Sequence, residues 1–185
     1  MRFLVVWIFL FLTLVSAQEE SIAEKRWSDY RRFMEKTALL SKQVQLEEIN
    51  GYFNQIVNEL DSLNWGEEDY WSTPKEFIIR GKGDCEDFVI AKYFALKELG
   101  FDASQMMIII VKVDNLQELH AVLGVKNQSG EILILDNLSW KILPITKRRD
   151  LKIVKWVNES SLKAQDQRLE TIKFLGVIQK IKNER

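Results

Sequence analysis

The chain has one cysteine and one histidine, so any chemistry that needs a thiol and an imidazole must use Cys85 and His120. Cys85 lies in the run GKGDCEDFVIAKYFALKELG, after a turn broken by glycines and at the predicted start of a helix. Unpaired N–H groups and the helix dipole favour a thiolate there, and the same N–H groups can stabilise an oxyanion. The position predicts a nucleophile for acyl chemistry, and an inert buried thiol is the alternative.

A histidine within hydrogen-bond reach would activate the thiol, and a carboxylate would orient the imidazole. Asp136, in the run ILILDNL, is a charged residue in an apolar strand and needs a partner there. If residues 128–130 form a hairpin loop with a left-handed glycine, Asn127 pairs with Glu131, and His120 and Asp136 lie on one face within reach. A loop of two or four residues would send them to opposite faces, unless a bulge compensates. A structural histidine is the alternative interpretation.

Acidic residues surround the cysteine: Asp84 precedes it, and Glu86 and Asp87 follow. Their charge raises a thiol pKa and opposes the helix effect. A bound cation would remove this conflict, and clustered oxygen ligands suit calcium better than zinc. Further carboxylates precede the cysteine at Asp61, Glu67, Glu68 and Asp69. A solvated acidic helix start is the alternative.

Helices are predicted on both sides of the glycines before Cys85. The segment TPKE at residues 73–76 is typical of a helix start, with a threonine cap, a proline and a glutamate at the third position. This helix should stop at Gly81, and the next should run from about Cys85 to Gly100. Apolar spacing predicts packing helices over residues 19–46 and in LEEINGYFNQIVNEL. The second of these places on one face Ile49, Tyr52, Phe53, Ile56 and Leu60.

After Gly100 the pattern changes to runs that are rich in β-branched and apolar residues, which is typical of strands. These runs are QMMIIIVKV, LHAVLGVKN, EILILDNL and residues 152–157. The tail from about Ser160 to Lys182 is predicted to be a helix. Helices first and strands afterwards, at least two of them antiparallel, indicate an α+β domain.

The N-terminus, MRFLVVWIFLFLTLVSAQEE, has one arginine, an apolar run and a small-residue ending. It predicts a signal peptide at residues 1–17, cleaved near Ala17. An uncleaved anchor is the alternative, although the run is short for a membrane span. Residues 18–185 then form one domain, because no repeat or linker divides them. This domain is expected to be exported and to have no stable membrane insertion after cleavage. The formal charge of -1 gives no reason to expect nucleic acid as a partner.

Four stretches together resemble one known family: WGEEDYWSTPKEF, GKGDCEDFVIAKYFALKELG, LHAVL and ILDNL. They are similar to the bacterial transglutaminase-like cysteine proteinases, over about Trp27 to Trp156. The resemblance implies a papain-like, transglutaminase-like core, in which the nucleophile's helix packs on an antiparallel sheet. It also implies Cys85 as the nucleophile, His120 as the general base and acid, and Asp136 as the residue that orients the imidazole.

The resemblance further implies a calcium site on the carboxylates beside the nucleophile. In this chain these carboxylates are Asp84, Glu86 and Asp87. An upstream aspartate completes the set, for which we choose Asp69, with Asp61 as its rival.

Members of the family are periplasmic, calcium-dependent endopeptidases, and the best-known ones release adhesins from the outer membrane. For this chain the resemblance implies hydrolysis, through an acyl-enzyme, of the N-terminal region of a large cell-surface adhesin that controls biofilm attachment. It also implies sequestration by an inner-membrane receptor for cyclic di-GMP. Trp65 or Trp71 would contact the substrate or the receptor, unless both fill the core. Two other functions stay open: a non-catalytic periplasmic binding module, and acyl transfer to an amine as in transglutaminases.

Overall fold

The computed structural model describes residues 21–114, 116–158 and 169–184. The predicted signal peptide and residues 160–168 of the predicted C-terminal helix lie outside these ranges. The helices are α1 (residues 21–37), α2 (Lys42–Phe53), α3 (Asp61–Asn64), α4 (Pro74–Arg80), α5 (Cys85–Glu98) and α6 (Leu169–Asn183). The strands are β1 (Val57–Asn58), β2 (Lys82–Gly83), β3 (Met106–Val113), β4 (Leu119–Lys126), β5 (Ile132–Asp136), β6 (Ser139–Pro144) and β7 (Leu151–Val157). Within the described ranges, no helix is both long and apolar enough to cross a membrane.

The five longer strands form one antiparallel sheet in the order β6-β5-β4-β3-β7, and β1 and β2 form a separate parallel pair. Helix α5 lies at the centre of the fold, where it contacts β4, α2 and α4. The main core fills the space between these helices and the sheet. The prediction of an α+β domain with an antiparallel sheet is confirmed.

Local sequence sets both ends of α4, as predicted. Thr73 Oγ1 accepts a hydrogen bond from Glu76 N at 3.2 Å, and Thr73 N donates to Glu76 Oε2 at 2.7 Å, which closes a capping box. Pro74 takes the first helical position, and Gly81 ends the helix with a φ of 71°. The short strand β2 follows, so that Cys85 is the first residue of α5.

The β4–β5 hairpin has the predicted loop at residues 128–130. Asn127 N donates to Glu131 O at 2.9 Å, and Gly130, with a φ of 85°, is left-handed. This register places His120 and Asp136 on the same face of the sheet.

The helix predicted in LEEINGYFNQIVNEL is wrong in its second half. Helix α2 ends at Phe53, and Leu60 is 56% exposed rather than part of a buried face. The residues that would continue the helix, Val57 and Asn58, pair with β2 instead. The side chain of the C-cap residue Asn54 donates to the main-chain carbonyls of Asp136 at 2.9 Å and Ser139 at 3.1 Å. A tertiary contact therefore overrides the apolar spacing. The helix predicted over residues 19–46 is likewise interrupted at residues 38–41.

Four of the elements named above are missing from the sequence predictions, and two of them are the two-residue strands β1 and β2. Strand β6 lies at the sheet edge with partly exposed residues, so it lacks the apolar run that marks the other strands. Helix α3 is a single turn inside a stretch predicted to be a loop.

Candidate active site

Cys85 begins α5 and is partly buried. The side chain of Asp84, at the N-cap, makes no capping hydrogen bond, which leaves the first-turn N–H groups without that partner. The thiol donates to Glu86 Oε2 at 3.1 Å, and the main-chain N–H of Ala121 donates to the sulfur. Burial raises the pKa of the Cys85 thiol, and the charge and hydrogen bond of Glu86 raise it further. The conflict inferred from the sequence is therefore present in the fold.

His120 lies on β4 and is 5% exposed. Its Nε2 atom is 2.8 Å from Asp136 Oδ1, at the end of β5. Because an ionised carboxylate only accepts hydrogen bonds, Nε2 carries the proton, and Nδ1 is the nitrogen that remains to accept a proton from a thiol. Cys85 and His120 line the same cleft, which has a volume of about 760 Å³.

Asp136 is held on both carboxylate oxygens. Leu138 N donates to Oδ1 at 2.9 Å, and Arg148 donates to Oδ2 at 2.8 Å. Burial raises the pKa of Asp136, but the hydrogen bond and charge of His120, the Leu138 N–H and Arg148 together outweigh burial and lower this pKa to about 2. Asp136 therefore stays ionised beside the imidazole.

Arg148 is a residue of this site that the sequence interpretation missed. It is 9% exposed and also pairs with Asp150, with Nη2 2.7 Å from Oδ2. The only signal in the sequence is that a buried aspartate needs a compensating partner, and this signal does not say which of the basic residues supplies it.

The acidic residues predicted to bind a metal come together beside Cys85. They form two groups in which one ligand atom per residue lies within 4.8 Å of the others: Asp61, Asp69 and Glu86, and Asp61, Asp84 and Asp87. Asp61 belongs to both groups, and Asp69 to one. Both candidates for the upstream ligand are thus near the cluster.

Three oxygens of this cluster are buried and have no hydrogen-bond partner among the described residues: Asp61 Oδ1, Asp84 Oδ1 and Asp87 Oδ2. Burial is the largest cause that raises the pKa of each group, to about 6 for Asp61, about 7 for Asp87 and about 9 for Asp84. Buried carboxylate oxygens without donors are what a hard cation such as calcium requires. The donor set therefore fits calcium.

Close packing supports this cluster. Asp87 Oδ1 accepts from Ser72 N at 2.9 Å and from Ser72 Oγ at 2.7 Å. A Cβ atom at position 83 would clash with Asp87 Oδ2, so a glycine at this position leaves room for the carboxylate. Asp69 lies at the exposed side of the cluster, where its carboxylate is paired with Lys173 of α6.

The two tryptophans of the preceding loop pack against the protein. Trp71 is 8% exposed and belongs to the main core, and its Nε1 donates to Asp69 Oδ1 at 3.0 Å. Trp65 lies against Tyr70 in a tilted arrangement, with ring centroids 4.6 Å apart, and Arg80 lies over the Trp65 ring. These contacts favour a packing role for both.

A cysteine at a helix start, beside a His–Asp pair on an antiparallel sheet, defines a cysteine hydrolase of the transglutaminase-like class. The sequence model of the bacterial transglutaminase-like cysteine proteinases (BTLCP) matches residues 18–169. The chain belongs to this family and is a cysteine protease.

Solved structures agree with this assignment. Calcium-bound LapG of Legionella pneumophila is 31% identical, with a TM-score of 0.74 over 90% of this chain and 97% of LapG. EGTA-treated LapG is 30% identical, with a TM-score of 0.73 over 89% of this chain and 94% of LapG. A third LapG structure is 31% identical, with a TM-score of 0.71 over 89% and 96% of the two chains. A search among curated proteins gave no match.

Proposed function

We propose that this chain is a calcium-dependent periplasmic endopeptidase, in which Cys85 attacks the peptide bond, His120 moves the proton and Asp136 orients the imidazole. The observation that carries these roles is the 2.8 Å contact between His120 Nε2 and Asp136 Oδ1, in the cleft that Cys85 also lines. Membership of the family supports the class of reaction.

In the first half of the reaction, His120 takes the thiol proton and the sulfur attacks the carbonyl carbon. The N–H groups at the start of α5 stabilise the oxyanion. The imidazolium then gives its proton to the leaving amine, the C–N bond breaks, and an acyl-enzyme remains on Cys85. In the second half, His120 takes a proton from water, the hydroxide attacks the thioester, and the thiol re-forms as the acid leaves. Asp136 holds Nε2 throughout, so Nδ1 always faces the reaction.

Calcium is the cofactor that we propose for the acidic cluster. Asp61, Asp84, Glu86 and Asp87 would hold it, and Asp69 would join at the exposed side. Support comes from the buried carboxylate oxygens without donors and from the calcium-bound and EGTA-treated forms of LapG. When bound, calcium supplies positive charge that offsets the carboxylates around the thiol.

The substrate, the partner and the location rest on the family resemblance. We propose the N-terminal region of a large cell-surface adhesin as the substrate, so that cleavage controls biofilm attachment. An inner-membrane receptor for cyclic di-GMP would sequester the enzyme, and the signal peptide at residues 1–17 would export it. The substrate proposal is tested by mixing the purified enzyme with the N-terminal fragment of the largest repeat-containing surface protein of the same organism and looking for cleavage.

Covalent labelling tests the catalytic roles, because the chain has one cysteine and any label that is lost in Cys85→Ser lies on that thiol. We expect a peptidyl chloromethyl ketone to label the protein in calcium at least about 100-fold faster than in EGTA or in the His120→Ala variant. The exposed substitution Asp29→Asn serves as the control and should label at the wild-type rate. Mass spectrometry of intact protein gives the rates.

Equal, slow labelling under all conditions would contradict a protease and leave a binding module that keeps a silent cysteine. With the adhesin fragment, a primary amine added to the reaction separates the two acyl-transfer outcomes. A free carboxylate at the cut site indicates hydrolysis, and an amide of the added amine indicates transfer.

A further inference from the structure

Lys92 is a lysine in the centre of the protein. It lies on α5, its side chain is 0% exposed, and its Nζ donates to Asn50 Oδ1 at 2.9 Å and to Asn54 Oδ1 at 2.7 Å. In the part of the chain that the structure describes, no carboxylate forms an ion pair with it. A buried ammonium whose partners are two neutral amides is costly to the folded state.

Asn50 and Asn54 connect Lys92 to the turn after β5 through further hydrogen bonds. Asn54 Nδ2 donates to the main-chain carbonyls of Asp136 at 2.9 Å and Ser139 at 3.1 Å. Asn50 Nδ2 donates to Ser139 O at 3.1 Å and Trp140 O at 3.4 Å. This turn joins β5 to β6. It begins at Asp136, whose carboxylate binds His120.

Lys92 Nζ donates to both amide oxygens, and this matches the way in which both amides point. An ammonium can only donate, so each amide must turn its oxygen to Lys92, and its NH₂ group then faces the carbonyls of the turn. The carbonyl oxygens of the turn can only accept, so they favour the same orientation from the other side of each amide. In the reverse orientation an amide oxygen would face the carbonyl oxygens and repel the turn.

Lys92 and Cys85 are seven residues apart on one helix, which is about two turns, so both side chains lie on the same face of α5. We propose that Lys92 is a positioning residue, which acts through Asn50 and Asn54 to hold Asp136 in place relative to the helix that carries the nucleophile. This inference rests on the proposed roles of Cys85 and Asp136. Burial also lowers the pKa of Lys92 to about 7, and the charge of Asp136 opposes this effect.

An NMR experiment tests the positioning without any need for activity. The chain has one histidine, so ¹⁵N-histidine labelling gives the spectrum of a single imidazole. In the wild type, the proton on His120 Nε2 should be visible and slow to exchange with water, because it is held by Asp136. In Lys92→Met and in Asn54→Asp this signal should be lost to exchange, whereas in Lys97→Met, on the exposed side of the same helix, it should persist.

Lys92→Met and Asn54→Asp remove different hydrogen bonds of this network. Methionine matches the length of lysine but leaves the amides without their donor. Asn54→Asp keeps an acceptor for Lys92, which preserves the contact within the core, but it removes the donor to the turn. If Lys92→Met does not fold, Asn54→Asp still tests the proposal.

Kinetics provide the second measurement. We expect both variants to lower kcat about 10- to 100-fold with KM changed by no more than about twofold, because misplacement of a catalytic group affects the chemical step. An unchanged imidazole signal and unchanged kcat in either folded variant would overturn the proposal. If the wild type itself fails to react with peptides, the proposed function fails, and the imidazole signal still decides whether Lys92 positions Asp136.

Discussion

Neutralising one carboxylate of the acidic cluster should stabilise the calcium-free protein. Asp87 is 1% exposed, its Oδ1 is held by Ser72, and its Oδ2 has no partner among the described residues. Burial is the main cause that raises its pKa to about 7 from 3.8. With about 1.4 kcal/mol for each pKa unit, ionised Asp87 costs the folded state about 4 kcal/mol.

The sign follows from proton binding. A raised carboxylate pKa means that the folded protein holds this proton more tightly than the unfolded chain does. The stability that this proton gives is therefore full below about pH 4 and is lost as the pH rises towards 7. Asp61 and Asp84, whose pKa values are also raised, act in the same direction.

We expect Asp87→Asn in EGTA to raise the free energy of unfolding by about 2 to 4 kcal/mol at pH 8, and by less than about 2 kcal/mol at pH 5. Asparagine keeps an acceptor for Ser72 and carries no charge. In calcium the order should reverse, because the wild type gains the free energy of calcium binding and the variant loses a ligand.

Urea denaturation followed by tryptophan fluorescence measures these free energies, with exposed Asp29→Asn as a control that should change nothing. A variant that is less stable than the wild type in EGTA at pH 8 would refute the reasoning. That result would mean that the charge of Asp87 is compensated without a cation.

Two further substitutions probe the partners of the site. Arg148→Met should lower the free energy of unfolding by about 2 to 4 kcal/mol at pH 7, because the charge of buried Asp136 then loses one of its partners. Urea denaturation measures this loss. An unchanged midpoint would show that His120 and the main chain are enough to compensate the charge of Asp136. Lys173→Met should raise calcium affinity about 3- to 10-fold in isothermal titration calorimetry, because the lysine competes with a cation for Asp69. Unchanged affinity would indicate that Asp69 is not a ligand.

The rules for helix caps and hairpin loops predicted the positions of Cys85, His120 and Asp136. The capping box at Thr73 and the glycine at position 81 set where α5 can begin, and so place Cys85 at a helix start. The loop at residues 128–130 sets the strand register, and so brings His120 next to Asp136. In both cases the determining residues lie within about a dozen positions of the feature that they control.

Residues that act across the fold could not be predicted in this way. Arg148 reaches Asp136 from beyond β6, a strand that has no clear pattern of its own. Lys92 looks like an ordinary polar position within an amphipathic helix, and its burial depends on α2. Helix α2 in turn ends at Phe53, and Asn54, which follows it, bonds to a turn more than 80 residues away. Sequence spacing contains no information about such contacts.

Glu86 connects the metal cluster to the nucleophile. Its carboxylate accepts the hydrogen bond of the thiol at 3.1 Å, and it also belongs to the group formed with Asp61 and Asp69. A carboxylate that accepts from the thiol favours protonated sulfur, whereas the reaction needs the proton to pass to His120. An oxygen that is committed to a cation is a poorer acceptor for the thiol. Because one side chain would serve both interactions, calcium bound at this cluster would alter the reactivity of Cys85. In the proposed mechanism, the acidic residues that oppose thiolate formation by themselves would therefore link catalysis to calcium.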